Sequence, residues 1–119
     1  MQLKKTVFPT AALSALLLSS ATFADIKVGF IGSLSSDTGL STLRGAEIAI
    51  EELNAKGGVM GEKIVMVSAD TGEDVTEGVK AYEYLAETEE VDFIISGSID
   101  DVSLGWLPRM QEFQIPTLD

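Results

Sequence analysis

Cysteine and histidine are both absent from this 119-residue chain. Their absence excludes disulfides, thiolate nucleophiles, Cys or His metal ligation and imidazole acid–base catalysis from the stretch. No N-terminal cysteine is available to carry a lipid after export. Basic residues are scarce, with 8 Lys plus Arg against 19 Asp plus Glu and a formal net charge of −11. A surface this acidic repels phosphate backbones and argues against nucleic-acid binding. Apolar residues are not scarce. They make up 45% of the chain, enough for a packed core and too many for disorder.

The first residues read as an address. Lys4 and Lys5 precede a largely apolar run, Thr6–Leu18, and small residues follow through Thr22-Phe23-Ala24. This is the order of a secretory signal, with cleavage expected after Ala24. A membrane anchor fits worse, because the run is short for about 30 Å of hydrocarbon and Pro9 interrupts it. Residues 1–24 are therefore expected to be a cleaved signal peptide. Residues 25–119 are then free in the periplasm, neither lipid-anchored nor embedded in the membrane.

Beyond Ala24, short β-rich runs alternate with helical periodicity. Ile26–Ile31 predicts a strand, and Gly32–Gly39 a loop of turn and cap residues. Leu43, Ala46, Ile50 and Leu53 mark one face of a helix that Gly57-Gly58 ends. Met60-Gly61-Glu62 predicts a tight turn into a second strand, Lys63–Asp70. Asp74 through Glu77 has the pattern of a capping box, with Val75, Val79, Tyr82 and Leu85 at helical spacing behind it. Val91–Ile95 predicts a third strand, and Gly97–Asp101 a loop. Val102, Trp106, Met110 and Phe113 predict a third helix, which Pro108 should kink or restart. Ile115–Leu118 begins a fourth strand, so the chain stops inside a β-rich segment at Asp119 and reads as part of a domain. Leu43, Tyr82, Trp106 and Phe113 are expected in the core. The alternation predicts an α/β fold, an open doubly wound parallel sheet with helices on both faces.

In such sheets ligands bind at the carboxyl ends of the strands, where strand order reverses. Two loops have that position: Gly32–Gly39, with Ser36 and Thr38, and Ser96–Asp101, with Ser98, Ile99, Asp100 and Asp101. Their hydroxyls and helix-start amides suit a small anion or carboxylate. The same residue types are also ordinary helix caps. Neither loop has the G-x-G-x-x-G spacing of a dinucleotide binder or the Gly-Lys-Ser/Thr ending of a phosphate loop. Asp100-Asp101 has no third ligand nearby, so a solvated helix start accounts for the pair better than a metal does. No cofactor is expected.

Gly45-Ala46-Glu47, followed by Glu51–Gly61 with its Asn54-x-x-Gly57-Gly58-x-x-Gly61 core, resembles a motif of the type I periplasmic binding proteins. These serve ABC importers of branched-chain amino acids and related solutes. The first strand and loop, Asp70-Thr71, Val91–Ile95 and Pro108 before Ile115-Pro116 fall in that family's order, so the resemblance covers residues 25–119. It implies the first lobe of a two-lobed carrier that closes on a small solute and delivers it to an inner-membrane ABC permease, without catalysis and as a monomer when full length. It also implies ligand contacts from the loop before Gly39 and from the hydroxyl-rich loop after the third strand. Thr38 stands where amino-acid binders often carry an aromatic residue, and Ile99-Asp100 or Asp100-Asp101 where they often carry paired serines. A carboxylate there repels an amino acid's own carboxylate, so a cationic or polyhydroxylated solute, or an amide, fits at least as well. The competing functions are a ligand-sensing domain of a receptor or regulator with the same fold, and an exported α/β enzyme. Without His, Cys or a nucleophile elbow, the enzyme is disfavoured.

Overall fold

A computed structural model describes residues 24–97 and 100–119, together with Gln2. Apart from Gln2 and Ala24, the expected signal peptide lies outside the described residues, as do Ser98 and Ile99. The elements alternate as anticipated. They are β1 (Ile26–Gly32), α1 (Asp37–Ala55), β2 (Ile64–Asp70), α2 (Val75–Glu83), a π-helical turn (Tyr84–Thr88), β3 (Phe93–Gly97), α3 (Asp100–Phe113) and β4 (Thr117–Leu118). Among the described residues the four strands form one sheet in the order β2-β1-β3-β4, and every pairing is parallel.

That order dictates the layers. The path from β1 through α1 to β2 steps to one side, and the path from β2 through α2 to β3 crosses back over β1. With right-handed connections, α1 falls on one face, and α2 and α3 on the other. The α2/α3 face carries the main cluster: Ile31, Ala69, Ala81, Tyr82, Leu85, Val91, Ile94, Val102 and Trp106. Tyr82 stacks on Trp106 at 6.4 Å between ring centroids and meets Phe113 at 6.5 Å. Burial of an Ile or Leu side chain of this kind contributes about 1.5–3 kcal/mol. Arg109 of α3 ties the two helices together at 2.7 Å from Glu83.

The α1 face is thinner. Phe30 and Val28 are buried there, but in α1 itself only Gly39 is. Leu43, Ala46 and Ile50 are half-buried, and Leu53 is exposed. The predicted apolar stripe exists, yet no second helix flanks α1 among the described residues. Of the four expected core residues, Tyr82 and Trp106 are fully enclosed, while Leu43 and Phe113 are half-buried.

Several details differ from expectation, among them β4, which starts at Thr117 and not Ile115, and α3, which starts at Asp100 inside the expected loop. The first loop ends at Ser36, not Gly39, because the Ser36 side chain caps α1 and draws Asp37–Gly39 into its first turn. The third strand is shifted two residues, to Phe93–Gly97. Val91 donates its N–H to the Leu85 carbonyl and buries its side chain beneath the π turn instead of joining the ladder. Pro108 does not restart α3, which runs unbroken from Asp100 to Phe113. The amide missing at Pro108 would have served Leu104, and Leu104 is exposed, where water can serve its carbonyl instead. No helix among the described residues is long and apolar enough to cross a membrane.

Candidate functional site

Strand order reverses between β1 and β3: β1 leads to β2 on one side, and β3 leads to β4 on the other. The two strands end level, with Gly32 paired to Gly97. The carboxyl ends of these two strands therefore stand side by side, as required for a crevice at that edge. The structure thus brings the two candidate segments together. One is the cap and first turn of α1, with Ser36 and Thr38, and the other is the start of α3, with Asp100 and Asp101. Ser98 and Ile99 lie between β3 and α3, outside the described residues.

The first segment is tightly organised. Ser36 Oγ accepts the Gly39 N–H at 3.1 Å and donates to the Ser33 carbonyl at 3.3 Å, so its hydroxyl is engaged in the cap. Ser33 is buried, with its Oγ 3.3 Å from Ser35 Oγ. Thr38 is exposed in the first turn of α1, and its carbonyl accepts the Thr42 hydroxyl at 3.0 Å. Gly39 has to be glycine: a Cβ there would lie 2.8 Å from the Ser33 carbonyl carbon and overlap its oxygen. Asp101 is exposed in the first turn of α3, where a carboxylate favours the helix dipole.

A third segment, missed as a site element in the sequence, completes the edge. Asp70 ends β2, and its Oδ1 accepts the Leu34 N–H at 3.0 Å and the Gly72 N–H at 2.9 Å. These two amides hold its carboxyl below the usual carboxylate range. Thr71 is fully buried and donates its N–H to the Gly32 carbonyl at 3.0 Å. Its own carbonyl accepts from Asp74, and Asp74 Oδ1 caps α2 through the Glu77 N–H at 2.9 Å. The only sequence signal for this role was an Asp-Thr-Gly at a strand end, a common turn composition.

The motif that carries the family resemblance lies at the opposite, amino edge of the sheet. Gly58 N–H donates to the Leu53 carbonyl at 2.9 Å and Gly57 N–H to Asn54 at 3.1 Å, a Schellman ending for α1. Asn54 brackets Ile64 at the start of β2, giving its side-chain N–H to the Ile64 carbonyl and accepting the Ile64 N–H, both at 2.8 Å. Val59 and Glu62 exchange backbone hydrogen bonds around Met60 and Gly61, both with positive φ. A shallow groove of about 300 Å³ lies here, lined by Asn54, Gly57, Gly58, Gly61 and Lys63. These residues shape a helix-to-strand connection and do not reach the candidate site.

Comparison with known proteins follows the same lines. The periplasmic binding protein family model matches residues 25–119. A Leu/Ile/Val-binding protein of Citrobacter freundii is 45% identical over 73 residues, covering 58% of this chain and 20% of that protein. Leu/Ile/Val-binding protein homolog 7 of Brucella suis is 49% identical over 63 residues, covering 50% of this chain and 16% of the relative. Among solved structures, a leucine binding protein, LivK, from Thermotoga maritima superposes with a TM-score of 0.68 at 29% identity. That match covers 77% of this chain and 26% of the other. LivJ from Streptococcus pneumoniae, in complex with isoleucine, gives 0.69 at 23% identity over 79% and 28% of the two chains, a likeness of fold. The chain thus spans a fifth or less of these two relatives and roughly a quarter of these structures. By sequence over all of residues 25–119, and by its parallel β2-β1-β3-β4 sheet, the chain belongs to the periplasmic binding protein family.

Proposed function

We propose that this chain supplies the first-lobe wall of a solute-binding cleft in the periplasmic component of an ABC importer. The observation that carries the reading is the reversal of strand order between β1 and β3, with two polar segments emerging side by side at the carboxyl edge. Residues 1–24 act as a cleaved signal peptide that delivers an unlipidated protein to the periplasm. Residues 25–119 form part of lobe one. The captured solute passes to an inner-membrane permease, with no cofactor and no catalytic step, and the full-length carrier works as a monomer.

The charge at this edge bears on the ligand. Asp37, Asp100 and Asp101 stand at the helix starts beside the crevice, with Asp70, Glu73 and Asp74 behind them at the end of β2, and residues 32–39, 70–77 and 97–103 include no Lys or Arg. An ammonium group finds carboxylates here, whereas a carboxylate finds only helix-start amides and hydroxyls. A zwitterionic amino acid, an amide or a related cationic compound suits that lining better than a dianion. In this reading Ser36, Thr38, Ser98, Ile99, Asp100 and Asp101 bound the pocket. The Ser36 hydroxyl acts by holding the turn, and Thr38 by its exposed place in the first turn of α1.

Calorimetry of the native protein against L-leucine, L-isoleucine, L-valine, their amides and L-lysine tests the proposal. Saturable one-to-one binding of any of these is expected, and heats indistinguishable from buffer across the panel would refute it. Asp100→Asn is expected to weaken a cationic solute by about ten-fold. Unchanged affinity would remove Asp100 from the site.

A further inference from the structure

We infer that Asp70 is a positioning residue for the solute site: its Oδ1 holds the turn before α1 in the conformation that faces the ligand. The inference rests on the carrier reading above but concerns a residue outside the candidate contacts. Asp70 lies at the end of β2, on the far side of β1 from β3, so it stands behind the crevice and not within it. What it touches is the loop. One oxygen accepts the Leu34 amide, two residues past β1, and the Gly72 amide, two residues past β2. The same carboxylate thus joins the connection that enters α1 to the connection that enters α2.

The backbone on both sides is already constrained. Thr71 N–H is committed to Gly32, Ser36 to Gly39 and Ser33, and Gly72 and Glu73 both sit at positive φ. Leu34 is where the loop leaves the β ladder and has not yet reached the helix cap. Its amide has one acceptor, Asp70, and that bond ties the turn to the sheet. A hydrogen bond from an amide to a charged acceptor is among the stronger ones available to a loop. Losing it frees the Ser33–Ser36 turn and the first turn of α1 that follows. A binding site pays in affinity when its wall has to be ordered on each encounter.

Because both bonds go to one oxygen, position and charge can be separated. Asp70→Asn keeps a carbonyl Oδ1 at the same place and removes the charge. Asp70→Glu keeps the charge and moves the oxygens by one methylene. Asp70→Ala removes the acceptor. In the native protein, amide hydrogen exchange at Leu34 is expected to quicken about ten-fold in the Ala and Glu variants and to change by less than about three-fold in Asn. Affinity for L-leucine, L-isoleucine or L-valine, each titrated alone, is expected to follow the same order, falling about ten-fold in Ala and Glu and little in Asn. Binding lost equally in Asn and Ala would mean that the charge meets the solute directly, overturning the positioning role. So would affinity unchanged in Ala and Glu despite a loosened Leu34 amide. Should Ala fail to fold, the Glu and Asn pair still decides. If none of the three amino acids binds the unaltered protein, the carrier reading fails for those solutes. Leu34 exchange then tests the hold on the loop by itself, and unchanged exchange in Ala and Glu overturns it.

Discussion

The two edges of the sheet meet the same physical problem in different ways. At the carboxyl edge, Gly39 packs so close to Ser33 that a Cβ would overlap the Ser33 carbonyl oxygen. At the amino edge, Gly58 packs against Glu62 in the same manner, with the carbonyl carbon 2.7 Å from where a Cβ would stand. Each glycine lets a helix end lie against a turn. The turn at the amino edge is closed by its own backbone pairs and by Asn54, and it shapes only the path from α1 into β2. The turn at the carboxyl edge is closed by side chains, Ser36 and Asp70. In the proposed reading, one edge builds the scaffold and the other uses it.

Substitutions that break one edge at a time should separate stability from binding. The largest effect is expected for Gly58→Ala. Its φ of +77° costs a side chain about 1–2 kcal/mol, and the overlap with Glu62 adds about 1–3 kcal/mol. Denaturant unfolding should show the loss, while the surviving folded fraction binds solute with unchanged affinity. Gly39→Ala carries the overlap alone, about 1–3 kcal/mol, but here affinity should fall too, because relief of the clash displaces the Ser33–Ser36 turn. Equal affinity losses at the two glycines would erase the division between the edges.

Asn54→Ala comes next, at about 1–3 kcal/mol, since the N–H and carbonyl of buried Ile64 both lose their partner. Calorimetric melting measures this loss, and binding at the far edge should be untouched.

The two edges were also unequally legible in the sequence. The amino edge depends on backbone conformation, and glycine pairs, an Asn near a helix end and a Met-Gly turn announce it by residue type. The parallel sheet was legible for the same reason, because short apolar runs between helical periods leave few alternatives. The carboxyl edge depends on which loops the strand order makes neighbours, and periodicity carries no strand order. Ser36 could be named from composition, as a ligand contact or as a helix cap, but the commitment of its hydroxyl to the cap needed the structure. Asp70 was passed over because its partner, Leu34, is 36 residues away. The shift of β3 was hidden as well: Val91 has every property of a strand residue, and only the π turn diverts it to the core.

The smallest predicted effect contrasts two carboxylates, one at each edge. Asp70 is held low by the Leu34 and Gly72 amides, and Glu89 is held low by the Tyr84 hydroxyl and then by Lys27, whose ammonium lies at 3.4 Å. A depressed folded value means that each group adds stability above its unfolded pKa, near 4, and that this contribution disappears as pH falls through the lower folded value. Both groups are solvent-accessible, so the contributions are small, and salt should tell them apart. At about 1 M salt the Debye length shrinks to about 3 Å, which screens the Lys27 charge but leaves backbone amides bonded to Asp70. Carboxyl chemical-shift titrations at low and high salt should therefore raise Glu89 by the share that Lys27 supplies, leaving the larger share from the Tyr84 hydroxyl, while Asp70 does not move. If Asp70 moved as far as Glu89, its low pKa would come from long-range charge and not from the two amides, and the rigid tie between the β1 and β2 loops would lose its electrostatic signature.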